Sequence, residues 1–333
     1  MPAIDDCRCP SCAAWRAGQP EMQLGDPQPA PGPLVEYRRC NTCGERSVLS
    51  DMNFAPMGRG RSRSCRDCVL ERTSAREGVA LEGRKFGVEI EFFADGYDSG
   101  DEYDDYGDET GLQLAEELSR ASGLTVNWMG YTHAVDQYDW KLVTDSSVEH
   151  GWELVSPPLR GAGGKRQVRT MCEALGAVGA YVESNCGLHV HHEVLDLRLR
   201  DFKALTKCWC EAQTHTDRLV SASRRGGQYA RPFSQHYADA AEAASSIREI
   251  VQTVSERFLS LNVTCFPTYG TVEIRQHQGT TNGSKILAWV DYGQAVIEHA
   301  ITGGPVPDRA QSFLETLPMA DHHREQLLDR IAA

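Results

Sequence analysis

No stretch of this chain approaches the ~18 consecutive apolar residues that a membrane-spanning helix needs. The opening Met-Pro-Ala-Ile-Asp-Asp has neither the basic nor the apolar region of a secretory leader. These two absences predict a soluble, cytoplasmic protein. Basic charge is scarce as well: 34 Lys and Arg stand against 47 Asp and Glu, a formal charge of −13. That balance disfavours non-specific nucleic-acid binding unless one module is locally basic. There is no Walker phosphate loop, because Gly161-Ala-Gly-Gly164 is too short for one. No internal repeat is visible. With 41% apolar and 24% charged residues the chain is not disordered as a whole, and 333 residues suggest about two domains.

What is present begins with cysteine. Seven of the twelve cysteines (Cys7, Cys9, Cys12, Cys40, Cys43, Cys65, Cys68) fall before residue 69. Two CxxC pairs, Cys40/Cys43 and Cys65/Cys68, are separated by 21 residues. Each CxxC turn offers two thiolates at the spacing of two corners of a tetrahedron, and two turns close a Zn²⁺ site. Residues 38–73 are therefore read as a four-cysteine zinc-ribbon module. A region this small cannot build a core of its own, and metal binding would supply the missing stability. The competing reading is a redox dithiol or unrelated core cysteines. Residues 1–37 form a Cys- and Pro-rich segment and spacer, with Cys7, Cys9 and Cys12 open between a second metal site and reduced surface thiols. The module's eight Arg against four acids give it +4, or about +2 once four thiolates hold one Zn²⁺. Such a patch fits weak contact with nucleic acid or an acidic protein, or simply a solvated face.

Beyond residue 84 short strand patterns alternate with longer helical ones to the end of the chain, which predicts a single domain over 84–333. Phe86-Gly-Val-Glu-Ile-Glu-Phe92 alternates apolar residues with Glu89 and Glu91, so both carboxylates share one face of a strand. Gly187-Leu-His-Val-His191 does the same with His189 and His191, and Thr271-Val-Glu-Ile-Arg275 with Glu273 and Arg275. Trp152-Glu-Leu-Val155 is a weaker fourth case. His192 belongs on the packing face, and His277 and Gln278 either reach the cleft or end their strand. Helical spacing marks Leu114/Leu118, Val168 to Val178, Phe202 to Ala212, Ile247 to Val254 and Ile286 to Ile297, the last capped by Ser284, with an amphipathic tail from about residue 308. The half-exposed strands favour an α+β fold: an antiparallel sheet with helices on one face and an active-site cleft on the other. The acidic run from Asp95 to Glu109 reads as a solvated loop, or else a lid. Arg224-Arg-Gly-Gly-Gln-Tyr-Ala-Arg231 reads as an anion-binding segment or a plain inter-helix loop.

Carboxylates grouped with one imidazole suit hard divalent ions such as Mg²⁺ or Mn²⁺, and an Arg on the same face suits a phosphoryl or carboxylate group. The ordered series Phe86–Phe92, Asp145-Ser-Ser, Glu153-Leu-Val-Ser-Pro-Pro-Leu159, Cys186–His191, Asn262, Thr271–Arg275, Gly279-Thr-Thr-Asn282, Lys285 and Trp289 resembles the amidoligase family. These are carboxylate–amine ligases of the glutamine synthetase and glutamate–cysteine ligase fold, and the resemblance covers about residues 84–300. It implies a glutamine synthetase-like sheet, ATP and divalent metal. Glu91, Asp145 and Glu153 would ligate one ion, with the short Asp145 acting through water, and Glu89, His189 and Glu273 another. Arg275 would steady the transferring phosphoryl group. His191, Asn262, Asn282 and Lys285 would line the cleft, His191 and Lys285 joining Glu89 and Arg275 as catalytic candidates and Asn282 joining the nucleotide-binding set. The segments that bind ammonia and glutamate in glutamine synthetase are not recognisable, so the carboxylate and amine stay open, from small molecule to peptide or modified nucleobase.

The expected activity is thus ATP-dependent amide or isopeptide bond formation through an acyl phosphate. Two competitors stand beside it. One is a metal-dependent phosphoester hydrolase acting on nucleic acid, and the other a zinc-module adaptor without catalysis.

Overall fold

The structure, a computed structural model, describes residues 37–42, 46–49, 53–57, 60–99, 105–145 and 147–332. Cys7, Cys9, Cys12, the proline-rich spacer and Cys43 lie outside the described residues, as do Ser146 and Asp101, Glu102 and Asp104 of the acidic run. From Arg38 to the end the chain is one compact unit.

Period-two alternation does what it should in the strands. In β5 (Phe86–Ala94) the residues Phe86, Val88, Ile90 and Phe92 are buried on one side. β5 is central to an eight-stranded sheet whose order is β11 (Leu261–Asn262), β12 (Thr271–Gln278), β10 (Gly187–Glu193), β5, β8 (Trp152–Val155), β7 (Trp140–Val143) and β6 (Val126–Trp128), with β9 (Ala180–Tyr181) paired to the far end of β5. Every pairing is antiparallel except β6 with β7. The fold is α+β, as the half-polar strands predict.

Helices cover the apolar face. α3 (Gly161–Ala177), α4 (Leu199–Asp217) and α8 (Gly283–Thr302) carry the residues that meet it: Val168 and Met171, Phe202 and Trp209, and Ile286, Trp289 and Val290, all buried. Burying a side chain of this size is worth ~1.5–3 kcal/mol, which is why one β5 face holds the molecule together and the other is left for chemistry. α2 (Asp105–Ser122), α5 (Gln235–Ala243), α6 (Ile247–Thr253), the four-residue α7 (Phe266–Tyr269), α9 (Ala310–Thr316) and α10 (Asp321–Ala332) complete this set. His192 faces this helix layer as expected, with both ring nitrogens buried and without a hydrogen-bond partner.

Three local expectations need correction. The last part of the acidic run is helical from Asp105, in a helix that buries Leu114, Ala115 and Leu118. The cap of α8 is Asn282, whose side chain accepts from the Lys285 backbone N–H at 3.0 Å, and not Ser284. The C-terminal tail is two helices, broken around Pro318.

The cysteine region has small sheets, β1 (Tyr37–Arg39) with β2 (Arg46–Val48) and β3 (Pro56–Met57) with β4 (Gly60–Arg61), around a separate small core of Cys40, Phe54 and Cys68. Its helix α1 (Arg66–Glu82) then runs on to the start of β5 and is tied there by ion pairs. Arg76 reaches Asp196 at 3.1 Å, and the buried Arg84 reaches Asp196 at 2.5 Å and Glu298 at 2.6 Å.

Candidate active site

The sheet's register decides which polar groups meet. His189 stands opposite Glu89, and Glu89 opposite Val155, which in turn pairs with Lys141. One row over, Glu91 stands opposite Glu153. On the other side His191 is opposite Glu273, which is opposite Asn262. The alternation along each strand turns all of these toward the face that helices do not cover. A bulge in β12 between the positions facing Leu188 and Val190 resets the register there. Arg275 therefore stays on the cleft side beside Glu273, while Gln276 bonds Gln213 of α4 and His277 packs on Trp289 of α8. Gln278 accepts from the Ser221 backbone N–H.

Distances confirm a continuous cluster. His189 Nδ1 lies 3.3 Å from Glu89 Oε2 and 3.7 Å from Glu273 Oε1, and its Nε2 lies 3.7 Å from Glu91 Oε1. His191 Nε2 is 3.2 Å from Glu89 Oε1, and its Nδ1 is 3.0 Å from Thr271 Oγ1. Glu273 pairs with Arg275 and accepts from Asn262 Nδ2 at 2.8 Å and from Cys265 Sγ at 3.5 Å. Donor atoms of Glu89, His189 and Glu273 fall within 4.8 Å of one another, and so do those of Glu91, Glu153 and His189, and of His191, Cys265 and Glu273.

Electrostatics divides the carboxylates. Burial works against ionising Glu89, yet His191 and His189 hold it well below the usual carboxylate range. Glu273 is held down against burial by Arg275 and His191. Glu153 goes the other way: burial, then the charges of Glu89, Asp145 and Glu91, push it well above the usual range. Carboxylates directly opposite across strands repel, and a divalent cation between them removes the repulsion. The first triad, two carboxylates and an imidazole, has the hard donor set and spacing that Mg²⁺ or Mn²⁺ accepts. The second has the same composition.

Asp145, expected as a ligand, lines the cleft and receives the Ser147 backbone N–H at 2.6 Å. Among the described residues its oxygens do not join either donor group, where His189 stands instead. Asn282 and Lys285 are exposed at the start of α8 and do not line the main cavity; the Asn282 side chain is committed to capping. That cavity, about 650 Å³, is lined by Glu89, Glu153, His189, His191, Asn262, Glu273 and Arg275. The segment from Thr132 to Gln137 also lines it.

Two residues of this site escape a reading by motif. Lys141 is buried on β7, with its Nζ donating to the carbonyls of Ala134 at 2.8 Å and Thr132 at 3.3 Å. Burial lowers its pKa, opposed by Glu153, Glu89 and Asp136. Its period-two position in Trp140-Lys-Leu-Val143 was the available signal. Tyr269, its ring edge-on to His191, donates its hydroxyl to the His133 carbonyl at 3.1 Å. Arg224, from the segment read as anion-binding, lies buried beside Glu91 and outside the cavity lining.

Away from the cleft, Sγ atoms of Cys40, Cys65 and Cys68 lie within 4.8 Å of one another. Cys40 Sγ accepts backbone N–H groups from Thr42 and Cys65, each at 3.3 Å. Three clustered sulfurs with N–H donors stabilising a thiolate fit a tetrahedral zinc site.

Sequence comparison gives the family. Residues 82–297, about two thirds of the chain, match the family model described as "Putative amidoligase enzyme", and the chain belongs to that family. No curated protein sequence matches it. Among solved structures it is similar to one titled "Crystal structure of novel glutamine synthase homolog", at 12% identity and a TM-score of 0.38 over 80% of this chain and 69% of that one. It is also similar to "Apo GmaS without ligand", at 13% identity and a TM-score of 0.33 over 80% and 68%. No helix among the described residues is long and apolar enough to cross a membrane.

Proposed function

We propose that this amidoligase joins a carboxylate to an amine at the expense of ATP. The observation that carries the reading is the cluster of Glu89, Glu91, Glu153 and Glu273 around His189, with Arg275 on the same face. Glu89, His189 and Glu273 would hold one divalent cation, and Glu91 and Glu153 a second, with Asp145 serving through water. Bound Mg²⁺ or Mn²⁺ supplies charge neutralisation for the phosphates.

The protein's own groups do the rest. A carboxylate is a poor acyl donor, so it takes the terminal phosphoryl group of ATP and becomes an acyl phosphate, releasing ADP. Amine attack then forms the amide and expels phosphate. Arg275, anchored by Glu273 and by its Nε bond to the Tyr229 carbonyl at 3.4 Å, presents its remaining donors to the phosphoryl oxygens. His191, aligned by Thr271 and paired with Glu89, would take the amine proton once a divalent cation draws the Glu89 carboxylate away from it. The segment from Thr132 to Gln137, held by Lys141 and Tyr269, keeps water from the acyl phosphate. Zinc held by Cys40, Cys65 and Cys68, with Cys43 as the fourth ligand the sequence offers, would be structural.

Hydroxylamine tests this directly, because it intercepts acyl phosphates. With Mg²⁺-ATP and pooled carboxylates, the protein is expected to form a hydroxamate and ADP, and Arg275→Ala to lose at least ~100-fold in rate. Hydroxamate accompanied by AMP and pyrophosphate would replace the acyl phosphate with an acyl adenylate.

A further inference from the structure

The scheme so far uses oxygen and imidazole donors and leaves one sulfur without a task. Among the described residues, Cys265 is the one cysteine that lines the main cavity. It joins His191 and Glu273 in the third donor group, whose members come from separate elements: β10, β12 and the cap of α7. In the ion-free protein the Cys265 thiol donates to Glu273 Oε2 at 3.5 Å.

Neighbouring groups hold each donor in place. Asn262 Nδ2 donates to Glu273 Oε2 at 2.8 Å and to Cys265 Sγ at 3.3 Å. Its Oδ1 accepts from the Thr264 backbone N–H at 2.9 Å and from Thr264 Oγ1 at 2.7 Å, which fixes the amide with its N–H groups toward sulfur and carboxylate. An N–H donor on sulfur favours thiolate over thiol. The two ring nitrogens of His191 lie 3.0 Å from Thr271 Oγ1 and 3.2 Å from Glu89 Oε1. Whichever nitrogen coordinates, the other keeps an oxygen partner, as a ligating imidazole requires for its orientation.

Donor chemistry separates this group from the other two. A thiolate beside imidazole and carboxylate suits a borderline cation such as Zn²⁺, whereas Mg²⁺ takes oxygen. All three side chains line the cavity, so a fourth position would open onto it. Three protein donors with one open position mark a zinc site that exchanges ligands, and not one that braces a fold.

We propose that His191, Cys265 and Glu273 form a separate site for a thiophilic divalent cation of the Zn²⁺ class. Binding breaks the S–H bond, forms a metal–sulfur bond and releases one proton to solvent. Glu273 also belongs to the group with Glu89 and His189, so a cation here draws on a carboxylate that the first group needs. Occupation takes His191 away from the amine proton as well, which makes the cation an inhibitor; this last step alone rests on the ligase reading.

Absorption of Co²⁺, a coloured substitute for Zn²⁺, tests the site without ATP or any substrate. A cobalt–thiolate bond gives a charge-transfer band in the near ultraviolet. Full-length wild type in excess Mg²⁺ is expected to show such a band that Cys265→Ser lacks. The difference between the two spectra cancels the N-terminal sulfurs, which both proteins share. Added Zn²⁺ should remove the band, and Asn262→Ala should weaken Co²⁺ binding ~10–100-fold. Cys208→Ser, a change buried in α4, should match the wild type. Identical spectra for wild type and Cys265→Ser overturn the inference. A protein that shows the band but turns over no ATP would keep the site and lose the ligase reading, so the two fail separately. If Cys265→Ser lacks a cooperative thermal transition, wild-type crystals soaked in Zn²⁺ decide at the zinc absorption edge: an anomalous peak bonded to Cys265 Sγ supports the inference, and zinc bound elsewhere with none there refutes it.

Discussion

Glu153 is the residue on which the cation reading can be checked without a substrate. Burial and three neighbouring carboxylates make its charge costly, so the ion-free cluster is strained by its own repulsion. Glu153→Gln should therefore raise the stability of ion-free protein, by about 1 kcal/mol. The same variant should lose most of the stabilisation that Mn²⁺ gives the wild type, ~2.7 kcal/mol at a hundred times Kd. Thermal melts with and without Mn²⁺ measure both, and a variant stabilised by Mn²⁺ as strongly as wild type would remove Glu153 from the site. At this scale the sequence was informative where chemistry follows strand alternation. Glu89, Glu91, His189, His191, Glu273 and Arg275 all lie on the face that period two assigns them. It put Asn282 and Lys285 with the site, whereas Asn282 caps α8 and both lie exposed outside the main cavity; a helix cap and a ligand both use Asn, and only three-dimensional placement separates them.

Among the elements, β10 and α8 meet closely at a glycine. A Cβ on Gly293 would stand 2.3 Å from His192 Nε2 and 2.6 Å from Ile274 Cδ1. Gly293→Ala should cost ~1–3 kcal/mol through overpacking, read in urea melts, even though alanine favours a helix. An unchanged midpoint would mean that the sheet and α8 do not meet this closely. The same layer predicts an acid response. Burial, reinforced by Arg84 and His191, lowers His192 to about 3. Burial, with Arg330 and Lys285, lowers His277 to about 4 against the pull of the Gln278 carbonyl. In the unfolded chain both take a proton near pH 6.5, while the folded protein keeps them neutral. Stability therefore falls as pH drops from about 6.5 toward 4, by ~1.4 kcal/mol per pH unit for each, and this loss levels off near 3. His192→Leu should remove one proton's share of that slope, and an identical slope in the variant would contradict it. The long helices beyond residue 105 were legible from apolar spacing, whereas α1, α5 and α7 were not: α1 begins inside the cysteine module, α5 is alanine-rich with only Ala238 and Ala241 buried, and α7 is a single turn. The β12 bulge is invisible in sequence because it conserves composition and changes only which neighbours face the helices.

For the whole molecule, the cysteine region is braced to the ligase domain by α1. Cys65 caps that helix, Cys68 lies in its first turn, Arg76 is clamped on Asp196, and the Asn41 carbonyl accepts the Ile247 N–H of α6 at 3.2 Å. Composition predicts a boundary near residue 73, but the helix runs through it. A zinc ion held by these sulfurs would tie the two parts into one melt, so a chelator is expected to lower the melting temperature of the entire protein, by ~5 °C or more, in one transition. A separate low-temperature transition with the main one unmoved would make the module an independent appendage.

The most direct test of the account is nucleotide turnover. Purified protein with Mg²⁺-ATP would be offered pooled amino acids, polyamines and peptides, and ADP and phosphate would be measured beside Glu89→Gln and Arg275→Ala. The account predicts substrate-dependent ADP release, lost in both variants, with a product lighter by one water than its two parts. Phosphoester cleavage without ATP, or full activity in Glu89→Gln, would contradict it.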